Sequence, residues 1–207
     1  PNPTDPCMIQ YTSGTTGFPK GALLHHRGLV NNGAHTGDRV GVTEGAVYVL
    51  TMPLFHTGGC VLGVLTAVSM KMTMVLVEAF DPGLVLELIE AYDGAAMLGV
   101  PTMLVAMLEH PDFTIRDLSA IEAICSGGST VPAALVERLE RELKAPFTIV
   151  FGQTELSPVS SMTHTTDTIE DKASTIGNAM PHVEVKIIDP ETGETVPPGT
   201  VGEYCAR

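Results

Sequence analysis

Apolar residues fall along this chain in short runs of strand length, separated by longer stretches with helical period. Residues 47–52, 73–77, 95–98, 121–124 and 147–151 are such runs, rich in Val, Ile, Leu and Met and bounded by turn formers. Runs of that length suit strands buried in a sheet. Between them the spacing changes. Residues 60–70 are apolar nearly all round, which predicts a buried helix. A second helix opens with Asp81 as N-cap and Pro82 in its first turn, and sets Leu84, Leu88 and Tyr92 beside Val85 and Ile89 on the face expected to cover the sheet. A third runs from Pro101 to Leu108 and must end there, because Pro111 follows His110 closely. The fourth has Ser129 or Thr130 as its cap and Pro132 at its start. It carries Leu135, Val136, Leu139 and Leu143 as an apolar stripe opposite Glu137, Arg138, Glu140, Arg141 and Lys144. Glu137 with Arg141 and Glu140 with Lys144 have the spacing of favourable helical ion pairs.

Five strands alternating with four helices predict an α/β fold, a mostly parallel sheet flanked by helices and built of right-handed βαβ units. Residues 8–12 and 22–25 read as two further strands, and 28–39 as a weakly marked helix. After residue 151 the pattern lapses: 160–175 are rich in Thr, Ser and Asp without clear period, and 183–188 and 201–205 read as strands around Pro- and Gly-containing turns. The expected organisation is a first segment at 1–45, a parallel α/β core at 46–158, and at 159–207 a linker with the start of a β-rich subdomain at the C-terminal end.

Composition narrows the function. The 207 residues carry a formal net charge of −13, which argues against nucleic acid or an anionic membrane as a partner held by the overall field, so any phosphate must be gripped locally. The apolar window at 59–80 is interrupted by Lys71 and reads as a core helix followed by a strand, with no integral membrane segment. Cys7, Cys60, Cys125 and Cys205 are scattered with no secretory signal in front, which suits reduced thiols and a cytoplasmic setting. Neither a Cys-x-x-Cys pair nor a His-Glu-x-x-His pattern points to zinc.

One local grip stands out at residues 11–21, Tyr-Thr-Ser-Gly-Thr-Thr-Gly-Phe-Pro-Lys-Gly. Gly14 and Gly17 allow positive φ or close backbone approach, Ser13, Thr15 and Thr16 bring hydroxyls, and Lys20 brings charge, so the stretch reads as a phosphate cradle. Its spacing is not that of a Walker A loop. Ligands of open parallel sheets bind beyond the carboxyl ends of the strands. There this chain places Pro53-Leu54-Phe55-His56-Thr57-Gly58-Gly59, Gly99-Val100-Pro101-Thr102, Cys125-Ser126-Gly127-Gly128-Ser129 and Gly152-Gln153-Thr154-Glu155. Gly127 and Gly128 would let a flat group approach, and Glu155 is a hard oxygen ligand suited to Mg²⁺ on phosphates. His56 could orient a carboxylate, or it could be structural.

These motifs, in this order, resemble the adenylate-forming (AMP-binding) superfamily, in particular acyl-CoA synthetases that activate medium-chain fatty acids. The resemblance also takes in Gly99-Val100-Pro101-Thr102-Met103, His110-Pro111-Asp112-Phe113 and Met180-Pro181-His182. It implies an acid-thiol ligase using ATP, Mg²⁺ and coenzyme A: a fatty acid carboxylate attacks the α-phosphorus of ATP, and the coenzyme A thiol then displaces AMP. It further implies that Ser13, Gly14, Thr15, Thr16, Gly17 and Lys20 hold the β- and γ-phosphates. Gly127, Gly128 and Ser129 would line the adenine and Phe151 stack on it, with Gly152 and Gln153 beside them. Thr154 would touch the α-phosphate, Thr15 and Glu155 would bind Mg²⁺, and His56 would lie where the acyl carboxylate meets ATP. Phe151 stands where tyrosine is commoner, and Ser129 where alanine is. By the same resemblance the family's ribose-gripping aspartate and its adenylation lysine would fall beyond Arg207, so this stretch alone is expected to be inactive. Two alternatives stay open: a ligase of the same superfamily for an aromatic or other acid, and a non-catalytic nucleotide-binding module.

Overall fold

The central strands are buried on both faces, and the alternation of their side chains sorts the core into two layers. In the computed structural model, which describes residues 1–13 and 17–207, β3 (Val47–Leu50), β5 (Gly94–Leu98) and β6 (Ala123–Gly127) lie side by side and parallel. Successive side chains of a strand point to opposite faces. Val49, Met97 and Ile124 accordingly join one apolar cluster. Tyr48, Leu50, Ala96, Leu98, Ala123 and Cys125 join the other. Strands buried on both faces read as continuous apolar runs, which is why length rather than alternation reveals them.

To these three the sheet adds β4 (Thr73–Leu76), β7 (Phe147–Gly152), β8 (Val159–Met162) and β9 (Asn178–Ala179). Among the described residues it has seven strands, in the order β4-β3-β5-β6-β7-β8-β9. All pairings from β4 to β7 are parallel; β8 and β9 are antiparallel additions. One face is covered by α4 (Pro82–Tyr92), α5 (Pro101–Leu108) and α6 (Ala133–Leu143). The other is covered by α1 (His26–Val40) and a composite helix of α2 (Thr57–Gly59), a π-helical turn (Cys60–Leu65) and α3 (Thr66–Ser69). The mostly parallel α/β sheet flanked by helices is the fold expected.

Several local expectations change. In α4 the buried side chains are Val85, Leu86 and Ile89, whereas Leu84 and Tyr92 are exposed, so the covering face is turned from the one read in the sequence. Asp81 does cap it, accepting from Leu84 N at 2.8 Å. Helix α6 starts at Ala133 with Pro132 as N-cap, and neither Ser129 nor Thr130 caps it. The Glu140–Lys144 pair does not form, because Lys144 is the left-handed C-cap and Glu140 instead accepts from Lys172 Nζ at 2.6 Å. Lys172 is buried and also donates to Thr165 O at 2.9 Å, so its charge is paired and hydrogen-bonded. The ladder of β6 begins at Ala123, two residues after the start expected.

The aperiodic stretch at 160–175 holds a strand and a helix. Ser160 and Ser161 of β8 are buried with Oγ bonded to Phe151 O at 3.3 Å and to Tyr204 OH at 3.0 Å. A strand that buries hydroxyls on satisfied partners carries no hydrophobic signature. Helix α7 (Ile169–Ser174) is capped by Thr168, whose Oγ1 accepts from Asp171 N at 3.0 Å.

Two antiparallel hairpins flank the sheet. Strands β1 (Pro6–Thr12) and β2 (Lys20–His25) seat Met8, Ala22 and Leu24 on Leu29 of α1 and Val61 of the π turn. Strands β10 (Val185–Ile188) and β11 (Glu203–Ala206) meet the sheet through Tyr204, whose ring stands edge-on to Phe151 with centroids 5.3 Å apart. Asn32 of α1 ties that helix to β8: its Nδ2 donates to Val159 O at 2.8 Å and its Oδ1 accepts from Val159 N at 3.1 Å. Among the described residues no helix is long and apolar enough to cross a membrane.

Candidate functional site

The carboxyl ends of β3, β5, β6 and β7 open on one cleft of about 500 Å³. Tight backbone packing shapes its polar floor. At Gly127 a Cβ would lie 2.5 Å from both the carbonyl oxygen and Cγ2 of Val150, its partner across the β6–β7 ladder, so only glycine lets these strands close there. Gly128 follows at φ +79° with open space around it, and a Cβ at Gly152 would run into Pro158 O. Gly127 and Gly152 thus let backbone pack close on backbone, and Gly128 leaves the edge of this cradle open. Gln153 N donates to Pro158 O at 2.9 Å, and Ser157 N to Thr154 O at 3.1 Å, which closes the turn Thr154–Leu156 over the end of β7.

His56 comes from the other side of the cleft. Its backbone N–H donates to Pro53 O at 3.1 Å, and its Nδ1 accepts from Gly58 N at 2.9 Å as the N-cap of α2. With Nδ1 committed as acceptor, the neutral ring carries its proton on Nε2, which is left as a donor. A wall of Met52, Phe55, Leu62, Leu98, Val100 and Val150 completes the cleft, and among the described residues no Asp, Glu, Lys or Arg lines it.

Of the residues picked out from the sequence, His56, Gly127, Gly128, Gly152, Gln153 and Thr154 line this one cleft. Glu155, in the same turn as Thr154, is exposed and is not part of the cleft lining, nor is the exposed Ser129. Phe151 is half-buried against Tyr204 and is likewise outside the lining. Ser13, Gly17 and Lys20 are exposed at the end of the β1–β2 hairpin, with Gly17 at φ +81°. Gly14, Thr15 and Thr16 lie outside the described residues. Strand β2 packs beside the Thr154–Leu156 turn. On the other strand, Gln10 Nε2 donates to Phe55 O at 2.7 Å, so the hairpin touches both sides of the cleft. Among the described residues no three His, Cys, Asp or Glu side chains converge as a metal site.

Sequence reasoning did not single out Leu62, Leu98, Val150 or Val159. They are apolar core positions by type, and only their place at strand ends or in the helix after His56 could have marked them. Cys125, two residues before Gly127, is buried, and loss of solvation pushes its thiol up to about 12. It remains a protonated packing group.

The carboxyl edge of the mostly parallel sheet thus carries a glycine-rich cradle, an oriented histidine and an apolar wall. The chain belongs to the AMP-binding enzyme family, whose model matches residues 1–207. It is similar to the acyl-CoA ligase SID4 of Ajellomyces capsulatus, 41% identical over 206 residues that make up 99% of this chain and 35% of that protein. It is also similar to the mitochondrial medium-chain acyl-CoA ligase ACSF2 of Bos taurus, 39% identical over an aligned length of 209 that covers 98% of this chain and 34% of that protein. The structure of ATP-bound MatB from Rhodopseudomonas palustris matches with a TM-score of 0.89 at 26% identity, covering all of this chain and 40% of that one. The chain spans about a third of the length of the curated relatives it matches.

Proposed function

We propose that this chain supplies the nucleotide and acid site of an ATP-dependent acyl-CoA synthetase that adenylates a fatty acid and passes the acyl group to coenzyme A. The observation that carries the reading is the two-sided cleft, with backbone cradle and polar turn at one side, apolar wall at the other, and His56 between them. An acid with an alkyl tail fits that division, since among the described residues the cleft lining holds no charged side chain to receive a second carboxylate. Its similarity to named acyl-CoA ligases points the same way.

In this reading Gly127 and Gly128 admit the adenine, with Ser129 and Phe151 at its margin. Gly152 and Gln153 lie beside the adenine, and Thr154 faces the α-phosphate. His56 donates from Nε2 to the acid's carboxylate and holds one oxygen toward the α-phosphorus. Ser13, Gly14, Thr15, Thr16, Gly17 and Lys20 hold the outer phosphates, where one lysine charge and backbone N–H groups work against a chain of net charge −13. Glu155 and Thr15 are the residues that would hold Mg²⁺, which when bound supplies positive charge to the phosphates. With no further carboxylate converging there among the described residues, most of its ligands would be phosphate oxygens and water. Catalysis of this kind rests on positioning and charge stabilisation.

Calorimetric titration of this chain with octanoyl sulfamoyl-adenosine, a stable mimic joining acid to nucleotide, tests the proposal. Tighter binding than sulfamoyl-adenosine without the acyl chain is expected. Equal affinity would remove the acyl side of the reading. Tighter binding of a benzoyl analogue than of the octanoyl one would reassign the acid to the aromatic class.

A further inference from the structure

Behind the cleft lies a second, small apolar space of about 20 Å³, between the sheet and the layer of α1 and the π turn. Thr36, Val40, Tyr48, Met72, Ala96 and Cys125 are among its walls. Among the described residues only Leu62 and Leu98 line both spaces, so these two side chains form the partition between them. Both are buried.

The partition is built on fixed elements. Leu98 ends β5, and Thr51 Oγ1 donates to its carbonyl at 2.8 Å. Leu62 lies in the π turn, a local widening of the helix that recurs at functional sites. The hydroxyl of buried Tyr48 donates to Leu62 O at 3.3 Å. The next residue is Gly63, where a Cβ would collide with the side chain of Leu50, so the turn is pressed onto β3. Thr66 Oγ1 donates to Gly33 O of α1 at 3.0 Å and holds the turn from its far side.

We propose that Leu62, backed by Leu98, is a specificity-determining residue that limits the length of alkyl chain the cleft accepts, and that the inner space is the place a longer chain would enter. The proposal rests on the acyl-binding reading of the cleft. As folded, the inner space has room for about one methyl-sized group. Cutting Leu62 to alanine removes the partition's bulk and joins the two spaces, making room for roughly three more methylenes. Each methylene newly buried strengthens binding about fourfold.

The test uses acyl sulfamoyl-adenosines of increasing even chain length, from four to sixteen carbons, titrated into the wild-type chain and its variants by calorimetry. For Leu62→Ala the preferred chain should lengthen by two to four carbons, with affinity for that longer chain at least tenfold above wild type. For Leu62→Phe the preferred chain should shorten. In Leu62→Ala/Ala96→Val, two methyl groups added to the inner wall should cancel the gain; a general loosening of the fold would not be cancelled this way. A folded Leu62→Ala with the wild-type preference, or a gain that survives Ala96→Val, overturns the inference and leaves the acyl-CoA synthetase reading standing. If wild type shows no dependence on chain length, both readings fall. Should Leu62→Ala not fold, an unchanged preference in Leu62→Phe would refute the partition by itself.

Discussion

Replacing Gly127 with alanine should damage the site more than it damages the fold. The new Cβ would sit 2.5 Å from the carbonyl oxygen and Cγ2 of Val150, while ordinary contact begins at 3.4 Å. The β7 strand must therefore retreat by about 0.9 Å beside Gly127, an overpacking that costs about 1–3 kcal/mol in a packed interior. Alanine recovers about 0.5–1 kcal/mol by restricting the unfolded chain more than glycine does. The net loss is at most about 2.5 kcal/mol, read by urea unfolding. The same retreat carries Gly152, Gln153 and Thr154 with it, because they continue the displaced strand. Positioning errors near 1 Å are worth up to about 100-fold where geometry is strict, so affinity for sulfamoyl-adenosine should fall at least about tenfold. Gly45→Ala is the control. Gly45 has φ +86° and open space around it, and it lies far from the cleft, so alanine there costs about 1–2 kcal/mol of left-handed strain while affinity stays unchanged. Equal affinities for the two variants would refute the idea that the β6–β7 closure positions the nucleotide turn.

Two further outcomes follow from charge and burial elsewhere. Hydrogen bonds from Arg116 at 2.8 Å and from Asp117 N at 2.9 Å hold the Glu90 carboxylate below its ordinary value of 4.5. A depressed carboxylate stabilises the fold above its unfolded value, and that contribution is lost as pH falls through the folded value. Glu90→Gln should thus flatten the decline of the thermal midpoint below about pH 4.5, and parallel curves for variant and wild type would exclude the linkage. Alkylation at pH 8 followed by mass spectrometry should label exposed Cys7 and spare Cys125 until the chain unfolds, since the Cys125 thiol is pushed up to about 12 and buried.

The sheet was readable because its strands are buried on both faces and separated by helices with proline and aspartate at their starts. Asp81 with Pro82 and the stripe of α6 are local signals, written in adjacent residues. What escaped depended on distant partners. Strand β8 hides its serines against Phe151 and Tyr204, and Glu140 abandons Lys144 for Lys172 thirty-two positions away. The covering face of α4 turned because three adjacent positions along an apolar helix fit the period almost equally well, and packing against β5 decides among them. In the site, glycines and the histidine announced themselves by type at strand ends. Leu62 and Leu98 did not, because a leucine that walls a cleft is chemically the same as one that fills a core.

The amide of Asn32 stands in for a strand neighbour. It offers Val159 one donor and one acceptor, as a neighbouring strand would, so a single helical side chain supplies the missing rung of a ladder at the border of β8. Aspartate at that position would leave the Val159 carbonyl without a donor, and leucine would leave both groups orphaned. Val159 is part of the cleft wall, and α1 begins where the β1–β2 hairpin ends. Helix α1 therefore behaves as a stiff strut: pinned at mid-length to the rim of the cleft and joined at its head to the hairpin, it gives these two distant stretches of chain a common frame.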